Sequence, residues 1–153
     1  MYEKPTVTTH NFPGILAISG ATTGIQRIPR LPGKRYCRII DIQAHVTTLI
    51  AADQTSALLT IGDGSDADKF VDDQIMGVEA DAVGSVRSIR DADARVAAYC
   101  SSGKGFIDWE TDGIAGSESS PVALADLVIT PVNGTDSGTV AGAYNATIII
   151  EWW

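Results

Sequence analysis

The chain has 153 residues and a formal net charge of −8, with plentiful Ala, Ile, Val, Thr and Gly but little Leu. This length is typical of one domain with its own core, and no apolar run approaches the ~20 residues that a membrane-spanning helix needs. Nor does a secretion signal follow Met1, so we expect a protein made in a cytoplasm, with no membrane partner.

Charge is distributed unevenly along the chain. Residues 1–50 hold six Lys or Arg against two Asp or Glu, whereas residues 51–153 hold five against seventeen. We predict that the basic cluster contacts an acidic protein surface, because complementary charge steers encounter and fixes register. The alternative is a solvated loop that offsets the acidic remainder, and the acidic bulk disfavours nucleic acid as a partner. The cluster consists of Arg27, Arg30, Lys34, Arg35 and Arg38.

The amino-terminal part of the chain predicts an arm followed by short strands. Residues 1–13 are polar and contain two prolines, which indicates an extended arm before a single domain over residues 14–153. The apolar run Ile15–Ile18 predicts a first strand. Residues 25–31 are broken by prolines, which cannot donate to a sheet ladder, so this segment is at best an edge strand.

Two clearer strands follow in the next part of the chain. The segment Tyr36–Leu49 alternates, which predicts one buried face with Ile40, Ile42, Ala44 and Val46 and one wet face that starts at Ile39. The run Ala57–Ile61 predicts a compact buried strand that stops at the turn Gly62-Asp63-Gly64.

The middle of the chain is harder to interpret. Val86–Ile89 predicts a short strand, and Arg95–Cys100 is interpreted as a strand, with a short helix capped by Asp91 as the alternative. Phe106–Glu110 and Val122–Val132 also predict strands, the second interrupted at Pro131.

The segment Thr139–Trp153 has a period of two and ends in β-branched residues and two tryptophans. Such residues lose rotamer freedom in a helix but pack well on a pleated surface, so the segment favours a strand. Because both of its faces are apolar near the end, we predict a central or interface strand anchored by Trp152 and Trp153. Eight or nine strands separated by Gly, Pro and Asp predict an all-β antiparallel β-sandwich with a jelly-roll-like layout.

Sequence signatures of catalysis are mostly missing, and we expect no enzyme and no cofactor. Asp108 and Glu110 would project from one face of a strand at about 7 Å, within the range of an inverting glycosidase pair. The hypothesis of a hydrolase therefore stays open, although two such carboxylates are more typical of the solvated side of a strand.

Metal and disulfide sites are also weakly indicated. Asp63, Asp66 and Asp68 are the best candidates for a Ca²⁺ site, but turn chemistry explains this composition without a ligand, and we predict no metal. Cys37 and Cys100 share no ligand-like spacing, so both are interpreted as reduced core residues.

The stretch from Ile61 to Val71, a strand ending in Gly-Asp-Gly, an acidic turn and then an aromatic, resembles small virion proteins of tailed bacteriophages. Together with the closing β-branched strand, the layout from Tyr36 to Trp153 is similar to capsid decoration or cement proteins built on a β-sandwich or jelly roll. The resemblance implies a homotrimer on the capsid surface of a virion, bound between subunits of the major capsid protein.

The residues predicted to contact a partner are those of the basic cluster together with Trp152 and Trp153. A different class of function is a carbohydrate-binding or receptor-binding fibre module. In that hypothesis, Tyr99, Phe106 or Trp109 would stack on sugar rings.

Overall fold

The computed structural model describes residues 4–18, 24–50, 57–78, 80–88, 106–113, 122–133 and 140–153. This part of the chain forms nine strands and contains no helix. The strands are β1 Thr6–Ile18, β2 Gln26–Pro29, β3 Tyr36–Thr48, β4 Ala57–Gly62, β5 Val71–Gly77, β6 Val86–Ser88, β7 Ile107–Asp108, β8 Asp126–Asn133 and β9 Val140–Trp152.

The strands form two sheets, and every ladder between them is antiparallel. The first sheet has the order β1-β9-β3-β6, with β7 paired to the start of β3, and the second has the order β2-β8-β4-β5. Four of the strand pairs are nested along the chain, as in one long hairpin that folds back between β4 and β5. These pairs are β1·β9, β2·β8, β3·β6 and β4·β5. The further pairs β9·β3 and β8·β4 show that this hairpin is rolled on itself. The predicted all-β antiparallel sandwich is therefore confirmed.

The core lies between the two sheets and is rich in Ile and aromatic residues. Strand β9 is central in its sheet, as predicted, and from Tyr144 onwards alternate residues of β9 face the core while the intervening ones are half-buried. Burying large apolar side chains on both inner faces is the main source of stability for such a fold. The largest of these buried side chains are Trp109, Trp152, Tyr144 and Phe70.

The amino-terminal residues belong to the first sheet. Residues 6–13 are extended, as predicted for the arm, but they lie in β1, where Thr6 pairs with Trp152 and Phe12 with Ala146. The domain boundary predicted at residue 14 therefore falls inside a strand. Polar composition misled the prediction, because an edge strand with one wet face needs few apolar residues.

Strand β3 runs over almost the predicted range, but its faces differ from the prediction. Ile39 is buried at 3% exposure, and Ile40 is only half-buried. The ladder pairs Ile39 with Ile150 and Asp41 with Ile149, so Ile40 is an extra residue in a β-bulge. A bulge shifts the alternation by one residue, and the simple period of two could not predict it.

Several other predicted elements are altered or lie outside the described residues. The strand predicted at Phe106–Glu110 is only two residues long in β7, and Pro131 lies within β8 rather than interrupting it. The predicted strand at Arg95–Cys100 lies outside the described residues, as does Tyr99. Within the described ranges, no helix is long and apolar enough to cross a bilayer.

Candidate functional site

Three aromatic side chains, Tyr36, Phe106 and Trp153, form an aromatic patch on the surface. They line an open pocket of about 450 Å³. Tyr36 and Phe106 are 39% and 45% exposed, which is high for large apolar rings. The rings of Phe106 and Trp153 meet edge to face with centroids 5.1 Å apart. The patch is therefore a preformed apolar surface with rings held in fixed positions.

The sheet brings these three residues together from distant parts of the chain. The backbone N–H of Tyr36 donates to the Trp153 carbonyl at 3.1 Å, and the N–H of Trp153 donates back at 2.9 Å. Phe106 comes directly before β7, which pairs with the start of β3. The aromatic patch thus lies where the start of β3, the end of β9 and the start of β7 meet.

Two arginines stack on the aromatic patch. The guanidinium of Arg35 lies 5.1 Å from the centre of the Tyr36 ring, and that of Arg38 lies 5.5 Å from the centre of the Trp153 ring. Both geometries permit a cation–π attraction. Arg38 also pairs with Glu151 at 2.7 Å.

Arg35 is held by two carboxylates of the β7 turn. It donates two parallel hydrogen bonds to Asp108, at 3.1 and 2.9 Å, and its third nitrogen lies 2.9 Å from Glu110. The hydrogen bonds from Arg35 are the main reason that the pKa of Asp108 lies below its usual range. The same contacts raise the pKa of Arg35. This cation is fixed in place rather than extended into solvent.

Two more arginines of the predicted basic cluster also lie near carboxylates of the same molecule. Arg27 lies 3.6 Å from Asp126, and Arg30 lies 3.7 Å from Glu110 and donates to the Lys34 carbonyl. Lys34 itself is half-buried in the turn between β2 and β3. The prediction of a basic contact patch remains, but these arginines form ion pairs around a surface of mixed charge rather than a continuous basic surface.

Trp152 and Trp153 have different environments. Trp152 is 1% exposed, stacks on Trp109 with centroids 5.6 Å apart, and donates its indole N–H to Thr8 at 2.7 Å. A partner cannot reach it, so its prediction as a contact residue is wrong, because alternation along β9 points it into the core. Trp153 is half-buried in the aromatic patch and can contact a partner.

The predicted glycosidase pair is occupied by other interactions. Asp108 and Glu110 share Arg35, and the N–H of Glu110 donates to Asp108 at 3.0 Å, as in an Asx-turn. A catalytic acid needs a raised pKa, whereas that of Asp108 is lowered. The indole of Trp109, predicted as a sugar platform, is 0% exposed and donates to the Cys37 thiol at 3.2 Å. The geometry therefore favours structural roles for Asp108 and Trp109.

The acidic loop after β4 is organised by Lys69. Asp63 accepts hydrogen bonds from the N–H groups of Ser65 and Asp66, both at 2.9 Å, and pairs with the Lys69 ammonium at 2.8 Å. The ammonium occupies the position that a cation would take beside this carboxylate. In the described part of the chain, no three metal-ligating side chains converge. Turn chemistry, the interpretation that the sequence favoured, accounts for this loop.

Sequence reasoning predicted Trp153 but did not single out Tyr36 as a contact residue. Phe106 entered only as one possible sugar platform. The pairing of β3 with β7 brings Tyr36 and Phe106 together. Because a long stretch of chain connects these two strands, their pairing leaves no local pattern in the sequence.

No protein-family model matches this chain, and no curated protein matches it significantly. Among solved structures, the chain is similar to one described as a cyanophage Pam1 capsid asymmetric unit, with a TM-score of 0.49 and 10% identity. The match covers 99% of this chain and 88% of that chain. A likeness this distant says nothing about what this chain does.

Proposed function

We propose that this chain is a structural protein of a bacteriophage virion that assembles through the aromatic patch and performs no chemistry. The order of the strands supports a jelly-roll layout with β7 added as part of this proposal, and jelly rolls occur in capsid proteins and in several other classes. Because fold alone does not determine function, the proposal depends mainly on the surface.

The aromatic patch is the observation that carries the proposal. Protein interfaces are enriched in aromatic residues and arginine at their centre, and a few such residues supply most of the binding energy. Tyr36, Phe106 and Trp153 offer such a centre, and Arg35 and Arg38 lie beside it in fixed ion pairs. Side chains already held in position lose less conformational entropy on binding. This arrangement suits a rigid contact with another protein.

In this proposal the partner is the major capsid protein, and the role is that of a decoration or cement protein on the capsid surface. It follows from the resemblance of the Ile61–Val71 layout to that group. Self-association is part of the proposal, and the resemblance implies three copies. Nucleic acid and membranes are not proposed as partners.

The test uses capsids assembled from the major capsid protein encoded nearest to this gene. The purified chain is mixed with expanded capsids and pelleted, and the bound fraction is titrated. We expect Trp153→Ala to weaken binding by roughly 30-fold, the effect of losing a ~2 kcal/mol contact. Leu49→Ala, which removes another exposed apolar side chain, serves as the control and should bind normally. Failure of the unaltered chain to bind capsids, or normal binding by Trp153→Ala, would contradict the proposal.

A carbohydrate is the second candidate occupant, because Arg35 lies over the Tyr36 ring of the aromatic pocket and pairs with Glu110. Small-molecule sites typically combine aromatic side chains with a few placed polar groups. Glycan-array binding that is lost in Phe106→Ala, with no binding to capsids, would favour this candidate. Binding to capsids without any glycan signal would favour the structural role.

A further inference from the structure

The two sheets have four edges, and β1 differs from the other three. Exposed edges invite pairing with another chain, and proteins usually protect them with short strands, charges or prolines. Strand β2 has four residues and includes Arg27 and Pro29, β6 has three residues, and β5 contains two aspartates. Strand β1 has thirteen residues and no formal charge. Among the described residues, β9 is its only ladder partner.

The outward-facing groups of β1 can be identified from its pairing with β9. Backbone groups point alternately to the two sides of an antiparallel strand. Trp153 exchanges hydrogen bonds with Tyr36 in the β3 direction, so the backbone groups of Trp152 point the other way, to β1, where its partner is Thr6. Even-numbered residues from Thr6 to Phe12 therefore bond to β9. The N–H and C=O groups of Val7, Thr9 and Asn11 point away from the sheet.

The outward-facing ladder is bounded by two prolines. Pro5 and Pro13 lie at odd positions, where the missing N–H would point outward, and both are equally distant from Thr9. If a second copy of β1 is placed antiparallel with Thr9 opposite Thr9, then Val7 lies opposite Asn11 and Pro5 lies opposite Pro13. The two prolines thus lie opposite each other at the ends of this register, outside the three hydrogen-bonded pairs that Val7, Thr9 and Asn11 form.

We infer that β1 is a self-pairing edge, which joins two copies of this chain around a two-fold axis centred on Thr9. Each hydrogen-bonded pair exchanges two bonds, so the three pairs supply about six backbone hydrogen bonds. The first sheets of the two copies then form one continuous sheet of ten strands, five from each copy. A closed two-fold contact of this kind is the commonest form of self-association.

The side chains of β1 are compatible with this partner. Although each copy is acidic overall, β1 brings no like charges together. Threonine opposite threonine is a favourable cross-strand pair. Val7, which is 55% exposed, would be partly covered by the second strand. The other three edges are poor alternatives, because their charges or short lengths limit pairing.

The inference is independent of the proposed capsid role. It also differs from the trimer implied by the resemblance, since two-fold pairing gives a dimer. A dimer that ignores capsids would contradict the proposed capsid role alone, and a trimer that binds capsids would contradict the pairing alone.

Sedimentation velocity of the full chain tests the pairing. We expect a dimer whose dissociation constant rises at least tenfold in Thr9→Lys, because two lysines would then face each other at the axis. His45→Lys is the matched control, since His45 is exposed on the same sheet but lies on the interior strand β3. Equal dissociation constants for the two variants would overturn the inference, as would a monomer or a trimer in the unaltered protein.

Amide hydrogen exchange by NMR provides a second test that does not depend on a variant. In the dimer, the amides of Val7, Thr9 and Asn11 should be protected, and their protection should fall on dilution. The amides of Thr8 and His10 bond to β9 and should stay protected at every concentration. Fast exchange of the outward-facing amides at high protein concentration would overturn the inference.

Discussion

Replacing Lys69 with methionine removes the cation that neutralises a buried carboxylate. The side chain of Asp63 is 1% exposed, and the Lys69 ammonium lies 2.8 Å from it. The same ammonium donates to the carbonyls of Asp112 and Gly113, each at 2.8 Å. Lys69 thus ties the loop after β4 to the turn after β7, and methionine preserves the length of the side chain without the charge.

The expected cost follows from the burial of the pair. Removing one partner of a buried ion pair typically costs about 3–5 kcal/mol, because the other charge is left uncompensated. Lys69 is 23% exposed, so water can partly replace it, and we expect a loss near the lower limit, about 3 kcal/mol. At roughly 2–4 °C per kcal/mol for a chain of this size, Tm should fall by about 6–12 °C.

Urea unfolding of four proteins measures this effect as a double-mutant cycle. The four are the unaltered chain, Lys69→Met, Asp63→Asn and the double variant. Asparagine can still accept the hydrogen bonds from Ser65 and Asp66, so Lys69→Met should cost only about 1 kcal/mol in that background. If Lys69→Met costs the same in both backgrounds, the charge on Asp63 is not the reason for the loss and the reasoning fails.

The pair also has a signature in pH. Burial alone would raise the pKa of Asp63, but the hydrogen bonds from Lys69 and from two backbone N–H groups lower it below its ordinary value of 3.8. Its contribution to stability is therefore present above about pH 4 and is lost as the pH falls through the lower pKa of the folded state. In Lys69→Met the folded-state pKa of Asp63 moves up, toward or past the unfolded value, so the loss of stability on acidification should become smaller or reverse, which urea unfolding at a series of pH values would measure.

Two further substitutions test the packing. Gly62→Ala would place a Cβ atom 1.8 Å from the Asp66 carbonyl oxygen, so the loop must move. Urea unfolding should show that the free energy of unfolding falls by about 3 kcal/mol or more. A decrease below about 1 kcal/mol would contradict this packing. Thr8→Val keeps the side-chain shape but removes the acceptor for the buried indole N–H of Trp152, which should cost about 1–3 kcal/mol by the same measurement. Thr9→Val, at an exposed position, is its control, and equal effects would show that the hydrogen bond to Trp152 is unimportant.

Much of the fold could be predicted from local patterns. The alternation in β3 and β9 and the Gly-Asp-Gly turn after β4 gave strand positions within one or two residues. The polar strand β1 and the bulge at Ile40 could not be predicted this way. Whether the polar segment β1 forms a strand depends on its neighbours in the folded protein. The bulge depends on a single extra residue, which does not change the local composition.

The candidate site was less predictable, because its interactions join distant parts of the chain. Arg35 is paired with Asp108, and Arg38 with Glu151. In the sequence the two arginines are neighbours, but their acidic partners are far away. The arginines were therefore interpreted as part of a basic surface. Trp153 was predicted from its position, whereas the burial of Trp152 depends on the direction in which each residue of β9 points.

The nesting of the strands has a consequence for the way the chain acquires its structure. Strand β1 finds its only described ladder partner in β9, which is also the neighbour of β3. Neither β1 nor the Ile-rich β3 can complete its pairing until β9 has been synthesised. Topologies dominated by contacts between distant residues fold slowly, in milliseconds to seconds. Throughout that interval the apolar residues of β3 are exposed, so the nascent protein is a natural client for chaperones.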